Sequence, residues 1–345
     1  MKKKFLILIL LISLLLSSLC SCSGRSKHIV EDFNCFDTYS SLTVYCTKEE
    51  FEIYKNEFNS VIDKYHKLFD IYNSYDGTVN IKALNDGAML SPIKVSPELF
   101  DALTFAKELY NTTRGKCNIA IGALTSIWHD AREHSKKYPD NAYIPTQQQI
   151  DEALLHTDIN TLILDKEELS VYYSDTKLSL DLGAIAKGYV ASVLYKKLIA
   201  LGCESFLINL GGNIVSHGIK EKQEPWRVLV ENPFDNKNLG YNEAIELNDE
   251  TLVTSGSYQR YFVYNEKKYS HIIDTSSGYP ADIFTSVSIL APADSSALSD
   301  ALSTALFCMS YEDGLSLVGS LESIEALWIF NDGSIKHTKG FGGVR

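Results

Sequence analysis

The sequence predicts an α+β protein organised as one domain. Strand-like and helix-like stretches follow one another in mixed order, without the regular strand–helix alternation of a parallel βαβ fold. About 315 residues follow an N-terminal leader and tether, enough for one α/β core or two interlocked lobes. No internal repeat or low-complexity linker divides them, so residues 31–340 read as a single domain.

Met1 to Cys22 reads as a targeting segment. Lys2, Lys3 and Lys4 form a basic start, and Phe5 to Leu16 is an apolar run too short to favour a membrane span. Leu19-Cys20-Ser21-Cys22 resembles a bacterial lipobox, with a small residue directly before a cysteine and Leu19 three before it. On this reading residues 1–21 are a lipoprotein signal peptide and Cys22 is the lipidated first residue of the mature chain. Residues 22–30 are then a tether, of which Ser23 to Lys27 is the polar part. Cys20 is the weaker acylation site, because Leu19 would stand where a small residue is wanted. Plain secretion is the other alternative.

Phe33 to Thr47 alternates well enough for a first strand or hairpin. Glu49 to Leu68 is helical, with Phe51, Tyr54, Phe58, Ile62, Tyr65 and Phe69 at three- and four-residue steps. Ser96 to Arg114 is a second helix, capped by Ser96, with Pro97 at its first position and Gly115 after its end. Ala131 to Thr146 is polar, carries Pro139 and Pro145, and reads as a surface excursion. Ile150 to Leu155 is a short helix, and Leu162–Asp165 with Ser170–Tyr173 a hairpin. Ala186 to Leu201 is a helix with Val190, Val193, Leu194, Leu198 and Leu201 buried and Gly202 as its stop. Strands are expected at Ser205–Leu210, Arg227–Val230, Ala244–Leu247, Leu252–Thr254, Tyr261–Val263, Val287–Leu290 and Ala326–Phe330. Ser295 to Ser310 is a helix.

Composition prunes the functions. The formal charge is −12 and becomes −15 once the leader with its three lysines is removed, which speaks against nucleic acid as a partner. Five cysteines remain, Cys35, Cys46, Cys117, Cys203 and Cys308, without a CxxC pair. They suggest mostly buried thiols rather than a zinc site or disulfide framework, although Cys35 and Cys46 could pair across a hairpin. A P-loop, an HExxH helix, a GxSxG elbow and an EF-hand loop are all missing from the sequence. His129 and His134 are five apart, a poor spacing for one helical face, and read as surface residues.

Three stretches could carry chemistry. Leu180 to Tyr189 places Asp181 before Gly183, Ala184, Lys187 and Gly188 at the start of a helix, where small residues allow close approach and free N–H groups attract an anion. In the Ser295–Ser310 helix, Leu298, Ala301, Leu302, Ala305, Leu306 and Met309 share one face. Asp300 and Thr304 lie one turn apart on the other, and Asp300 is the helix's only charge. A carboxylate and a hydroxyl so placed are hard donors suited to Mg²⁺. The third stretch runs from Thr254-Ser255-Gly256 to Tyr269-Ser270-His271-Ile272-Ile273-Asp274, with His271 as a phosphate donor or proton shuttle.

Taken together, these stretches resemble the FAD:protein FMN transferase (ApbE-like) family. The matching segments also include Phe36-Asp37-Thr38, Leu68 to Asn73, Cys117 to Gly122, Ser126 to Asp130 and Leu207 to Asn213. Their order covers nearly the whole mature chain. The resemblance implies a T-fold-related catalytic domain, with mixed and antiparallel sheets flanked by helices, working outside the cytoplasm on a lipid anchor at the membrane. It implies cleavage of FAD, attachment of the FMN half to a Thr or Ser hydroxyl of an acceptor protein, and release of AMP. Acceptors of the family include subunits of sodium-pumping (Nqr) and Rnf-type complexes and other surface electron carriers. By motif match, Mg²⁺ ligands fall on the Ala184 carbonyl, Asp300 and Thr304. FAD contacts fall on Phe36, Tyr72, Lys116, Cys117, Asn118, Asp181, Lys187 and Ile272, with His271 near the phosphates; Tyr75 fits as well as Tyr72. Asp300, His271 and Lys187 are the implied catalytic groups. Thr275-Ser276-Ser277 departs from the family, which usually has a Pro and a basic residue there. The rival readings are an FAD pyrophosphatase and a non-catalytic flavin-binding lipoprotein.

Overall fold

The computed structural model describes residues 24–231, 233–234 and 244–342. Cys22 and the signal peptide lie outside them. In chain order the first half contains β1 (Ser26–Asp32), β2 (Ser40–Cys46), α1 (Lys48–Phe69), α2 (Ile81–Gly87), β3 (Ile93–Lys94), α3 (Pro97–Thr112), α4 (Gly122–Lys137), α5 (Gln147–Leu154), β4 (Leu162–Asp165) and β5 (Ser170–Tyr173). The second half begins with α6 (Ala186–Ala200), β6 (Phe206–Leu210), β7 (Asn213–His217), β8 (Trp226–Leu229), β9 (Ala244–Leu247) and β10 (Glu250–Gly256). It continues with β11 (Tyr261–Tyr264), β12 (Lys267–Ser270), β13 (Ile273–Asp274), β14 (Tyr279–Pro280), β15 (Phe284–Pro292), α7 (Ser296–Phe307), α8 (Tyr311–Val318), β16 (Glu325–Phe330) and β17 (Ile335–His337).

Eight strands form the central sheet in the order β1-β2-β6-β7-β10-β15-β16-β17, with every neighbouring pair antiparallel. Buried side chains on one face, such as Val44, Ile208, Val215, Val287 and Ile289, join the apolar faces of α1, α6 and α7 in the main core. The opposite face is covered by the β8–β9 hairpin, whose Trp226, Val228, Ile245 and Leu247 pack on Leu252, Leu290, Leu327 and Ile329. Where the sheet is covered on both sides it has no solvated face, which is why β15 is buried along almost its whole length while the edge strands β1 and β17 are mostly exposed. A smaller core joins α4 and α5 to the β11–β12 and β13–β14 hairpins through Leu124, Trp128, Ile150, Phe262, Tyr269 and Ile273. The α+β expectation holds.

Local chemistry sets the element ends. The Thr47 hydroxyl accepts the Glu50 N–H while the Glu50 carboxylate accepts the Thr47 N–H, a reciprocal cap that starts α1. Ser96 caps α3 as expected, with Pro97 in its first turn. Gly211 (φ 57°) and Gly212 (φ 91°) take left-handed conformations that turn β6 back into β7.

Three expectations need correction. The first strand is β1, which starts inside the 22–30 stretch read as tether and pairs with β2 along its whole length. Phe33 to Tyr39 is the connection, containing a short 3₁₀ turn, Cys35–Asp37. Ala131 to Lys137 is not an excursion but the end of α4; its polar residues face outward while Ala131 and Ser135 are buried. Pro139 and Pro145 both lie beyond the end of that helix. Cys35 and Cys46 are both free thiols. Cys46 pairs with Ser26 at the far end of β2, whereas Cys35 lies beyond its near end.

Candidate functional site

The first turn of α6 carries no side-chain cap of its own. A regular helix start would return the Gly188 N–H to the Ala184 carbonyl. Here that N–H donates instead to Asp300 Oδ2 of α7, at 2.8 Å. Asp300 therefore caps α6 from a neighbouring helix, a carboxylate at the positive end of a helix dipole. The crossing is tight because residue 188 is glycine: a Cβ there would lie 2.5 Å from both Asp300 Cβ and the Ser296 carbonyl oxygen. One consequence concerns Ala184. Its carbonyl is left without a backbone hydrogen-bond partner among the described residues.

Asp300 is 3% exposed. Burial raises its pKa, opposed by Lys187, by the Gly188 N–H and by the Asn213 amide. The Lys187 ammonium stands 4.0 Å from Asp300 Oδ1, too far for a hydrogen bond. One turn along α7, Thr304 Oγ1 lies 3.5 Å from Ser255 Oγ. Ser255 Oγ is 2.7 Å from Ser303 Oγ, which donates to the Asp300 carbonyl. The carboxylate, the Thr304 hydroxyl and the Ala184 carbonyl are all hard oxygens of the kind Mg²⁺ takes alongside water and phosphate. No group of three or more His, Cys, Asp or Glu side chains suited to a metal occurs among the described residues. An ion here would rest on one carboxylate and neutral oxygens.

Cationic groups flank this centre. His271 Nδ1 lies 3.2 Å from the Arg260 carbonyl oxygen. A carbonyl can only accept, so Nδ1 carries the proton and Nε2 keeps its lone pair. The residue as a whole is exposed. Even so, desolvation by the surrounding protein, then the charges of Arg260, Lys187 and Arg132, push its pKa down to about 4. Arg260 also donates to the Asp37 carbonyl at 3.0 Å. Arg132 reaches His129 Nδ1 at 3.0 Å, and the Tyr72 hydroxyl lies 3.4 Å from the same nitrogen. His129 is partly exposed and links α4 to exposed Tyr72.

Asp181 is fixed from two sides, by the Gly183 N–H at 2.8 Å and the Thr125 hydroxyl at 2.9 Å. Phe36 and Asp37 hold left-handed conformations (φ 57° and 50°), which side chains with a Cβ rarely adopt. The Phe36 N–H donates to His66 Nδ1, and the two rings meet edge-on. Lys116 is engaged elsewhere, by Asp274 Oδ1 at 2.9 Å and the Ser276 hydroxyl at 2.6 Å. Cys117 and Ile272 are buried. The Asn118 amide is spent on the Thr157 carbonyl and the Ala120 N–H. Their backbones are partly spent as well: the Lys116 and Cys117 N–H groups donate to the Thr113 carbonyl and hydroxyl, and the Ile272 carbonyl accepts from the Ala281 N–H.

Sequence reasoning passes over Arg132, Thr125, Arg260 and Asn213 as functional groups. Arg132 sits in the stretch that reads as an excursion. The others have no partner until the fold supplies one. The shallow cavity lined by Ala123, Ile127, Gln149, Glu152, His156 and Lys177 contains none of the groups above.

Comparison with known proteins gives a consistent picture. Residues 36–328 match the ApbE family. The chain is 32% identical to an FAD:protein FMN transferase of Treponema pallidum over 276 residues, covering 75% of this chain and 73% of the relative. It is likewise 32% identical to one from Klebsiella pneumoniae, covering 76% and 81%. The crystal structure of the ApbE protein of Thermotoga maritima superposes with a TM-score of 0.80 at 26% identity, covering 92% of this chain and 98% of that one.

Proposed function

This chain belongs to the ApbE family, and from that premise we propose that it is an FAD:protein FMN transferase. It cleaves the FAD diphosphate, joins the FMN phosphate to a Thr or Ser hydroxyl of an acceptor protein and releases AMP. The observation that carries this reading is the meeting of Asp300, Lys187, His271 and Arg260, from four separate segments, around the start of α6.

The metal we assign is Mg²⁺, held by Asp300, Thr304 and the Ala184 carbonyl. The free Ala184 carbonyl and the half-used Asp300 carboxylate support that set. When bound, the ion would neutralise charge on the diphosphate oxygens. The remaining work falls to the chain. Lys187, Arg260 and Arg132 form a cationic wall that binds and orients the diphosphate. Tyr72, Phe36 and Asp181, with the backbone at Lys116, Cys117, Asn118 and Ile272, hold the two ends of the dinucleotide. The acceptor oxygen attacks the FMN phosphorus as the bond to the AMP phosphate breaks. His271 Nε2, with its free lone pair, receives the acceptor's proton.

We further assign Cys22 as a lipidated residue and place the enzyme on the extracytoplasmic face of a membrane. Its acceptors there are surface flavoproteins, including Nqr- and Rnf-type subunits. The test is incubation of the protein with FAD, Mg²⁺ and a candidate acceptor. The expected result is a flavin-fluorescent acceptor band with AMP released in equal amount. FMN and AMP without a labelled acceptor would make it a hydrolase, and no turnover would overturn the enzyme reading.

A further inference from the structure

Asn213 opens β7 directly after the Gly211-Gly212 turn and is 1% exposed. Backbone pairing with Leu210 of β6 and Val253 of β10 holds it on both sides. Its amide lies against the Asp300 carboxylate and favours the charged form. The same NH₂ makes only a long contact, 3.4 Å, with the Leu210 carbonyl. Its amide oxygen, Oδ1, is buried and has no hydrogen-bond partner. Turning the amide over would not help, because it would set that oxygen against a carboxylate. Buried polar atoms are almost always paired, so an orphan acceptor at this position points to a missing ligand.

We propose that Asn213 is a positioning residue of the cation site: its NH₂ holds the Asp300 carboxylate, and its unpaired amide oxygen is a further hard donor for the ion. The inference rests on the Mg²⁺ reading of the Asp300 centre. Strand geometry explains the choice of residue. The tight glycine turn fixes the Asn213 backbone before the side chain is placed, so the amide reaches Asp300 from the sheet while Gly188 reaches it from α6. Held from two directions, the carboxylate keeps one orientation. Groups that orient a metal ligand in this way typically contribute about 10- to 100-fold to metal affinity.

The experiment measures Mg²⁺ binding directly, by calorimetry and by the Mg²⁺-induced change in melting temperature, without FAD or turnover. Wild-type protein should bind. Asn213→Ala should weaken Mg²⁺ about 10- to 100-fold, and its melting-temperature gain should shrink accordingly. Asn213→Asp keeps the side-chain shape and adds a second carboxylate beside Asp300. It should melt lower than wild type without metal and gain more from Mg²⁺, a pattern that loss of packing alone does not produce. If Asn213→Ala is too unstable to measure, the Asn213→Asp pair of melts decides. Wild-type binding with unchanged Mg²⁺ responses in both variants overturns the Asn213 assignment alone. Absence of Mg²⁺ binding in wild type overturns it together with the metal reading.

Discussion

At the scale of single residues, charge state decides what each group can do. The free-enzyme imidazole of His271, lowered to about 4 by desolvation and by Arg260, Lys187 and Arg132, is neutral at pH 7. A bound diphosphate reverses the sign of that field and raises the pKa. Between about 4 and the higher value in the complex, FAD binding therefore takes up a proton and affinity rises as pH falls through that window, while transfer, which needs the neutral ring, is confined to pH above it. Calorimetry in two buffers of different ionisation enthalpy should show this uptake in wild type and not in His271→Gln; equal uptake in both would assign the proton elsewhere. Lys187→Met should weaken FAD use by about 10- to 100-fold in kcat/KM, the loss expected of one hydrogen bond to a charged group. Unchanged kinetics would confine Lys187 to holding Asp300. Asp300, Lys187 and His271 were legible in the sequence because each stood in a stretch unusual by itself: a lone charge on a helix, a cation in a glycine-rich turn, a histidine after a hydroxyl-rich strand. Arg132 and Asn213 were not, since their meaning depends on partners that the chain brings from far away.

At the scale of elements, the site depends on how closely α6 and α7 cross. Gly188 permits the crossing and also supplies the N–H that holds Asp300. Gly188→Ala should cost about 1–3 kcal/mol through overpacking and should also weaken Mg²⁺ binding, because the displaced helix carries Asp300 with it. Urea melts and metal titration on the same protein check both; lost stability with intact metal affinity would show that α7 moves without disturbing the carboxylate. The two helices were readable from their apolar periodicity. Their mutual approach was not, because small residues say only that something comes near. The end of α4 escapes the sequence for a similar reason. Its last turns are rich in Arg, Glu, His and Lys, and polarity with two prolines beyond imitates a loop, although Ala131 and Ser135 keep the buried stripe.

At the scale of the whole molecule, the sheet separates the start of β1 from the site. Ser26, the first residue of β1, pairs with Cys46, while Asp32 at its other end pairs with Ser40, which pairs in turn with Leu210 beside Asn213. Six strand steps of about 3.4 Å put these ends about 20 Å apart. The start of β1 reads as tether in the sequence because Ser26 and Lys27 continue the polar run from Ser23, and its pairing with β2 is a property of the sheet rather than of the segment. With that separation, chemistry at Cys22 should be independent of chemistry at Asp300. Cells fed a clickable palmitate analogue should label the full chain, and Cys22→Ala should abolish the label. A form beginning at Gly24 should be released from membranes yet transfer FMN to a soluble acceptor within about twofold of wild type, since no described contact of the site involves residues before β1 and surface changes away from a site rarely exceed about 0.5 kcal/mol. A Cys22→Ala protein still labelled would move the anchor to another residue. A shortened form that folds but no longer transfers FMN would mean that the tether end and the site communicate through β1.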